Sequence, residues 1–262
     1  MNKQLQMPVL FLGHGSPMNA LAQNSFTQTL SGMAHAMPRP QSIVVISAHW
    51  ETQGTWVTGM PQPKTIHDFY GFPKELFEIR YPAPGNPILA QAIVSKNPDD
   101  QIDVDLESWG LDHGAWSVLR HMYPQADIPV IQMSLDRAKT PKDHFELGKK
   151  LRFLREQGVL IVGSGNVVHN LKEIQWDESA EPWKWAVEFD EWIRDQVKNR
   201  DFVSLIQHPR DEDQGKKSIP TWEHYLPLLY VVGASQDSDP LAFPYEGIDH
   251  ASISMRCIRF GA

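Results

Sequence analysis

Eleven histidines and a single cysteine are the residues of this 262-residue chain that bear most on chemistry. One cysteine, Cys257, makes neither an intramolecular disulfide nor a thiolate cluster, so a bound metal would have to be held by His, Asp or Glu. His14 lies in Gly13-His14-Gly15-Ser16-Pro17, where the flanking glycines allow a sharp turn and clear space around the imidazole. Alone it reads equally as a hydrogen-bonded histidine at a strand end. The glycine pair is a poor phosphate loop, because the Lys and Ser/Thr of such a loop are missing. His49, in Ser47-Ala48-His49-Trp50-Glu51, also follows an apolar run and small residues. Two imidazoles delivered in this way favour a metal. His224, in Trp222-Glu223-His224-Tyr225, is placed at the start of a helix beginning near Pro220, where the helix N-terminus favours the neutral, ligating imidazole. Two histidines and one carboxylate are the usual facial set for iron(II), so Glu223 and Glu51 stand as alternative third ligands. His113, in Asp112-His113-Gly114, opens a helix. His67, in His67-Asp68-Phe69-Tyr70-Gly71-Phe72-Pro73, is either loop packing or a lid over an aromatic substrate. His35, His121, His144 and His208 are expected in solvent, and His250 is left unassigned.

The elements that must position these residues follow from the apolar pattern. The runs Pro8-Val9-Leu10-Phe11-Leu12, Ile43-Val44-Val45-Ile46, Ile128 to Met133 and Val159-Leu160-Ile161-Val162 have the length of strands buried on both faces. Helical patterns cover residues 17–35, 86–96, 114–122, 141–156, 181–198 and 221–231. Strand alternating with helix predicts an α/β fold: a single domain over residues 1–262, with a mostly parallel central sheet and helices on both faces. Ligands of such sheets bind beyond the carboxyl ends of the strands. That placement brings His14, His49 and, one turn after Gly163-Ser164-Gly165-Asn166, His169 to one rim, and puts a metal site there. Residues 252–260 read as an antiparallel edge strand, and the interval from Pro61 to Pro87 as a long functional loop with a short helix near Lys74 to Ile79. Trp183, Trp185 and Trp192, at helical spacing, read as core rather than as an interface.

With 24 Lys+Arg against 32 Asp+Glu, the net charge of −8 and the absence of a basic block argue against nucleic acid as a partner. No run approaches the roughly 18 apolar residues that span a bilayer, which predicts no membrane association. Met1 to Met7 lack the marks of a secretory leader, which predicts a cytoplasmic enzyme. Nothing in the sequence sets an oligomeric state.

Taken together in chain order, Gly13-His14-Gly15-Ser16-Pro17, Ser47-Ala48-His49-Trp50, His67 to Pro73, Leu111-Asp112-His113-Gly114-Ala115-Trp116, Gly163-Ser164-Gly165-Asn166 with His169-Asn170, and Trp222-Glu223-His224-Tyr225 closely resemble the class III extradiol ring-cleavage dioxygenases. Within the LigB-like superfamily the resemblance is to the 4,5-DOPA dioxygenase branch. It implies one mononuclear divalent metal, Fe(II) or Zn(II), with a small-molecule catechol and O2 as partners. It further implies that L-DOPA is opened to 4,5-seco-DOPA, which cyclises toward betalamic acid. Carried onto this chain, it makes His14, His49 and His224 the metal ligands, and His169 both the active-site base and a fourth ligand when zinc is bound. The protocatechuate-cleaving relatives have a glutamate where this chain matches with His224. Ring opening then asks His113 to stabilise an oxyanion, a His169 of near-neutral pKa to take a proton, and His67, Phe69, Tyr70, Phe72 and Tyr225 to enclose the substrate. The rival readings are a zinc hydrolase of an amide or ester, with Glu51 or Glu223 as base, and a non-catalytic metal-binding protein.

Overall fold

Val9 and Phe11 pack into one hydrophobic cluster while Leu10 and Leu12 pack into another, and the same division separates Val44 and Ile46 from Ile43 and Val45. A strand that is apolar on both faces must be covered on both, and this chain does so around one eight-stranded sheet. The computed structural model describes residues 6–177 and 180–262; residues 1–5, on which the leader reading bears, lie outside them. The strands are β1 (Val9–Gly13), β2 (Ser42–Thr52), β3 (Thr55–Thr58), β4 (Ile102–Asp105), β5 (Val130–Asp136), β6 (Val159–Gly165), β7 (Leu241–Tyr245) and β8 (Cys257–Phe260). Their spatial order is β4-β3-β5-β2-β6-β1-β8-β7. The central strands β5, β2, β6 and β1 are parallel, and Leu12 and Ser47 both lie level with Ser164, so three strand ends share one rim.

The long helices are α1 (Ser25–Ala36), α2 (Pro87–Lys96), α3 (His113–Met122), α4 (Pro141–Leu151), α5 (Lys184–Asn199) and α6 (Leu226–Ala234). Helices α1 and α3 cover one face, and α2, α4, α5 and α6 the other. Helix α6 is buried at all nine positions, which is why its sequence has no polar stripe. Among the described residues no helix is long and apolar enough to cross a membrane. Trp183, Trp185 and Trp192 are half-buried against the core.

Several expectations are corrected. Strand β8 is antiparallel as read, but it lies between β1 and β7 and is not an edge. The edge is β7, whose Pro244 suits a strand with one unpaired side. The stretch 17–35 divides into a 3-10 turn, Pro17–Ala20, and α1, which Asn24 and Thr27 start with a capping box. Residues 141–156 break at Arg152. Helix α6 starts at Leu226, so His224 precedes it. His35 and His208 are exposed as expected, but His121 is half-buried with Nε2 at 2.8 Å from the Asn19 carbonyl. His144 is fully buried on α4, its Nδ1 paired with the Tyr230 hydroxyl at 3.0 Å, and burial lowers its pKa to about 4.

Cys257 is fully enclosed on β8, and burial pushes its thiol up to about 12. We expect a thiol-specific disulfide reagent to leave Cys257 unmodified in the native protein and to label it once in denaturant. Native labelling at the denatured rate would show that β8 does not close this side of the sheet.

Candidate active site

Five histidines reach the rim by different devices. Gly15 takes φ +60°, the turn that lets the chain leave β1 with His14 aimed inward, and His14 N–H donates to the Gly165 carbonyl at 3.2 Å. The β2–β5 register slips between Ile46 and Glu51, and that irregularity re-aims His49. His113 opens α3 just after Asp112, whose carboxylate caps the helix by accepting from Ala115 N–H. His169 is pinned by its own N–H to the Ser218 carbonyl at 2.9 Å and by a bridge to Ile253. His224 is held by its carbonyl, which accepts from Asn166 N–H at 2.9 Å. A side chain at Gly165 would collide with that carbonyl, so only glycine lets β6 approach it.

Behind the rim, hydrogen bonds decide which nitrogen of the His14 and His224 rings carries the proton. The Ser164 hydroxyl has one hydrogen and donates it to the Gly114 carbonyl at 2.6 Å, so it accepts from His14 Nδ1–H at 3.0 Å. His49 Nδ1 lies 3.4 Å from Asp68 Oδ2, and His224 Nδ1–H donates to Glu223 Oε1 at 3.0 Å. His14 and His224 therefore keep the Nε2 lone pair, while the longer contact of His49 leaves its proton on either nitrogen, including the Nε2 that faces His14. The Nε2 atoms of His14 and His49 confront each other at 3.0 Å.

Burial, reinforced by the charge of neighbouring imidazoles, holds His14, His49 and His224 well below the usual histidine range, so all three are neutral. Burial also lowers His169 to about 4, with the nearby charge of His113 adding to the effect, in place of the near-neutral value expected. Its ring stacks on that of His224, centroids 3.4 Å apart, and has no hydrogen-bond partner among the described residues. Asp68 is partly buried, which would raise its pKa. The hydrogen bonds it accepts from His113, through Nδ1 and through the backbone, and the charge of His113 and His49 outweigh this and hold it at about 2. Asp112 is pushed up to about 6 by burial and by the charge of Asp68, while the Ser47 hydroxyl and Gln132 amide donate to it.

The five histidines and Asp68 floor a cavity of about 550 Å³ walled by Phe69, Tyr70, Phe72, Leu171, Ile174, Trp176, His250 and Ile253. Phe69, Tyr70 and Phe72 line it. His67 and Tyr225 do not. His67 faces away, its Nε2 at 3.1 Å from the Ile79 carbonyl and its ring among Phe69, Phe77 and Trp116. Tyr225 is buried behind the site, donating to the Leu205 carbonyl at 2.8 Å. Glu51 does not line the cavity, and Glu223 is engaged by Thr221 Oγ1 and His224 Nδ1, so neither is free to act as a hydrolytic base. The reading of sequence assigned no task to Ser164, Asp68 or the wall from Leu171 to Trp176. Of these, only Asp68, beside His67 in an aromatic loop, carried a local signal.

The donor set fits a divalent ion. One ligand atom from each of His14, His49 and His224 lies within 4.8 Å of the others. The 3.0 Å between the Nε2 atoms of His14 and His49 matches the roughly 3 Å separating neighbouring ligands held ~2.1 Å from one ion. His49, Asp68 and His113, and His169, Glu223 and His224, make two further clusters of the same span, each sharing one histidine with the first.

Known proteins share this fold and much of this sequence. The family described as the catalytic LigB subunit of aromatic ring-opening dioxygenase matches residues 8–256. A 4,5-DOPA dioxygenase extradiol of Escherichia coli K12 is 48% identical, the match covering 98% of this chain and 95% of that one. The protein of the same description from Portulaca grandiflora is 34% identical, over 95% of this chain and 94% of its own. A crystal structure of an uncharacterized Escherichia coli K12 protein superposes with a TM-score of 0.86 at 44% identity, covering 98% of this chain and all of the other. With a profile spanning almost the whole chain and relatives alike from end to end, the chain belongs to the LigB family of metal-dependent aromatic ring-opening enzymes and is an extradiol dioxygenase.

Proposed function

We propose that the enzyme opens the ring of L-DOPA at the 4,5 bond, inserting both atoms of O2 to give 4,5-seco-DOPA, which cyclises spontaneously toward betalamic acid. The observation that carries this reading is the convergence of one ligand nitrogen from each of His14, His49 and His224, all within 4.8 Å of one another, on the floor of an aromatic-walled cavity. The names of the relatives supply the substrate. In this reading His14, His49 and His224 hold one ion, iron(II) for turnover, with zinc its competitor because imidazole sites favour late divalent metals. Iron held there would supply Lewis acidity toward the catechol and a redox route for O2.

The chain's own residues do the rest. His169, neutral and unpartnered beside His224, accepts a hydroxyl proton from the catechol. Asp68 grips His113 at both the backbone N–H and Nδ1, which fixes the ring with Nε2 toward the cavity. A proton on that Nε2, balanced by the Asp68 carboxylate, is donated to an oxygen anion as it forms. Phe69 and Phe72, edge to face with centroids 5.4 Å apart, flank the ring and exclude water.

Protein reconstituted anaerobically with iron(II), then given L-DOPA and air, should form a yellow ring-opened product and consume one O2 per L-DOPA; product without oxygen uptake would refute the assignment. Metal analysis should find His14→Ala and His49→Ala without bound iron, and Ser164→Ala with an affinity weakened about ten- to a hundredfold through its effect on His14. Full occupancy in His49→Ala would remove it from the ligand set. His169→Ala and His113→Ala should keep their metal and lose about a hundredfold or more in turnover. Unchanged turnover in His169→Ala would exclude it as the base.

A further inference from the structure

The outer half of the cavity has a different character from its histidine floor. Tyr70, Leu171 and Trp176 stand at the mouth with 92, 62 and 77% of their surface exposed, and Ile174 and Ile253 continue the apolar wall inward. Contiguous apolar exposure at a cavity mouth differs from scattered surface hydrophobes, which need no explanation. This wall is also built to stay in place. Asn170 caps the turn by accepting from Lys172 N–H, Gln175 N–H donates to the His250 carbonyl at 3.1 Å, and Trp183 Nε1–H donates to the Glu173 carbonyl at 2.8 Å. Ile253 bridges to His169, so the wall is continuous with the floor.

Among the described residues lining the cavity there is no lysine or arginine. Lys172 shares the turn with Leu171 but does not line the cavity. The one carboxylate in the lining, Asp68, is engaged by His113. His250 is the one imidazole in this outer wall, packed against Trp176. A carboxylate entering the outer half would lose water against mostly apolar walls with no lysine or arginine to replace it, whereas an alkyl or aryl group would gain by burial.

Resting on the catechol reading above, we infer that the outer half is an apolar subsite for the substituent opposite the two hydroxyls, so that the preferred substrates are catechols bearing a neutral apolar 4-substituent. L-DOPA is accepted with its charged end turned to water at the mouth. Trp176 is the specificity-determining residue, and His250, its ring centroid 5.5 Å from that of Trp176, backs it.

The test compares 4-propylcatechol with 3-(3,4-dihydroxyphenyl)propionate, which differ only in a terminal methyl against a carboxylate. With the iron-loaded enzyme, kcat/KM should favour the propyl compound by about tenfold or more, mostly through KM, and anaerobic calorimetry should give the same order of Kd. Trp176→Arg, at an exposed position that should not disturb folding, should narrow or reverse the preference by supplying the missing cation. Equal or better use of the carboxylate by the unaltered enzyme would overturn the inference while leaving ring cleavage intact. Selective binding without ring opening would do the opposite, sinking the catalytic reading and sustaining the subsite.

Discussion

The Nε2 atoms of His14 and His49 stand 3.0 Å apart, a spacing that one proton or one cation between them satisfies, and the packing around this site holds that arrangement. His14 is tied from behind at Nδ1 by Ser164, and His49 Nδ1 stands 3.4 Å from Asp68. The tie to His14 depends on a hydroxyl with only one hydrogen. Ser164 directs it at the first turn of α3, and so β1, β6 and α3 must meet at one level for the tautomer to be right. The tie to His49 runs through Asp68, which also grips His113, and thereby fastens β2 and α3 to the proline-rich loop. Neutral imidazoles, fixed protons and a shared focus are consequences of the same packing.

The far side of the site is braced by charge buried in pairs. Arg256 is almost wholly enclosed, with Asp190 of α5 on one side and Glu246 on the other, and Asp190 also accepts from the Ser254 hydroxyl at 2.6 Å. Removing either partner of such a pair leaves an uncompensated charge in the interior, which is far more costly than the pair itself. The network fixes the ribbon of Ile248–Asp249 with Ile253–Ser254, from which His250 and Ile253 reach the cavity. Asn166 completes the connection by donating to the Ser254 carbonyl at 2.7 Å, joining the end of β6 to that ribbon.

How much of this was legible in the sequence follows from how local each signal is. Where an apolar run stops at a histidine, the position of that histidine on the rim is a property of the run itself, so His14 and His49 could be placed. Strands β3, β4 and β7 could not, because Thr-Trp-Val-Thr, Ile-Asp-Val-Asp and Leu-Ala-Phe-Pro-Tyr are short, partly polar or broken by proline, and pairing alone makes them strands. Direction is harder still. His67 and Tyr225 sit among the right neighbours in sequence but point out of the cavity, and His144 finds its partner 86 residues away on α6. The proton-directing bonds span 150 residues from His14 to Ser164 and 45 from His113 to Asp68, distances over which no spacing rule operates.

The loop that presents Phe69, Tyr70 and Phe72 to the cavity is the same short stretch that carries Asp68. One covalent segment therefore both shapes the entrance and steers ring protons at the floor. Lengthening or shortening it to admit a new molecule would misalign His49 and His113 in the same stroke. The turn from Leu171 to Trp176 has no such double duty, since none of its side chains ties an imidazole of the floor. Divergence among enzymes with this floor should accordingly accumulate in the turn, leaving the aromatic arm nearly invariant in length.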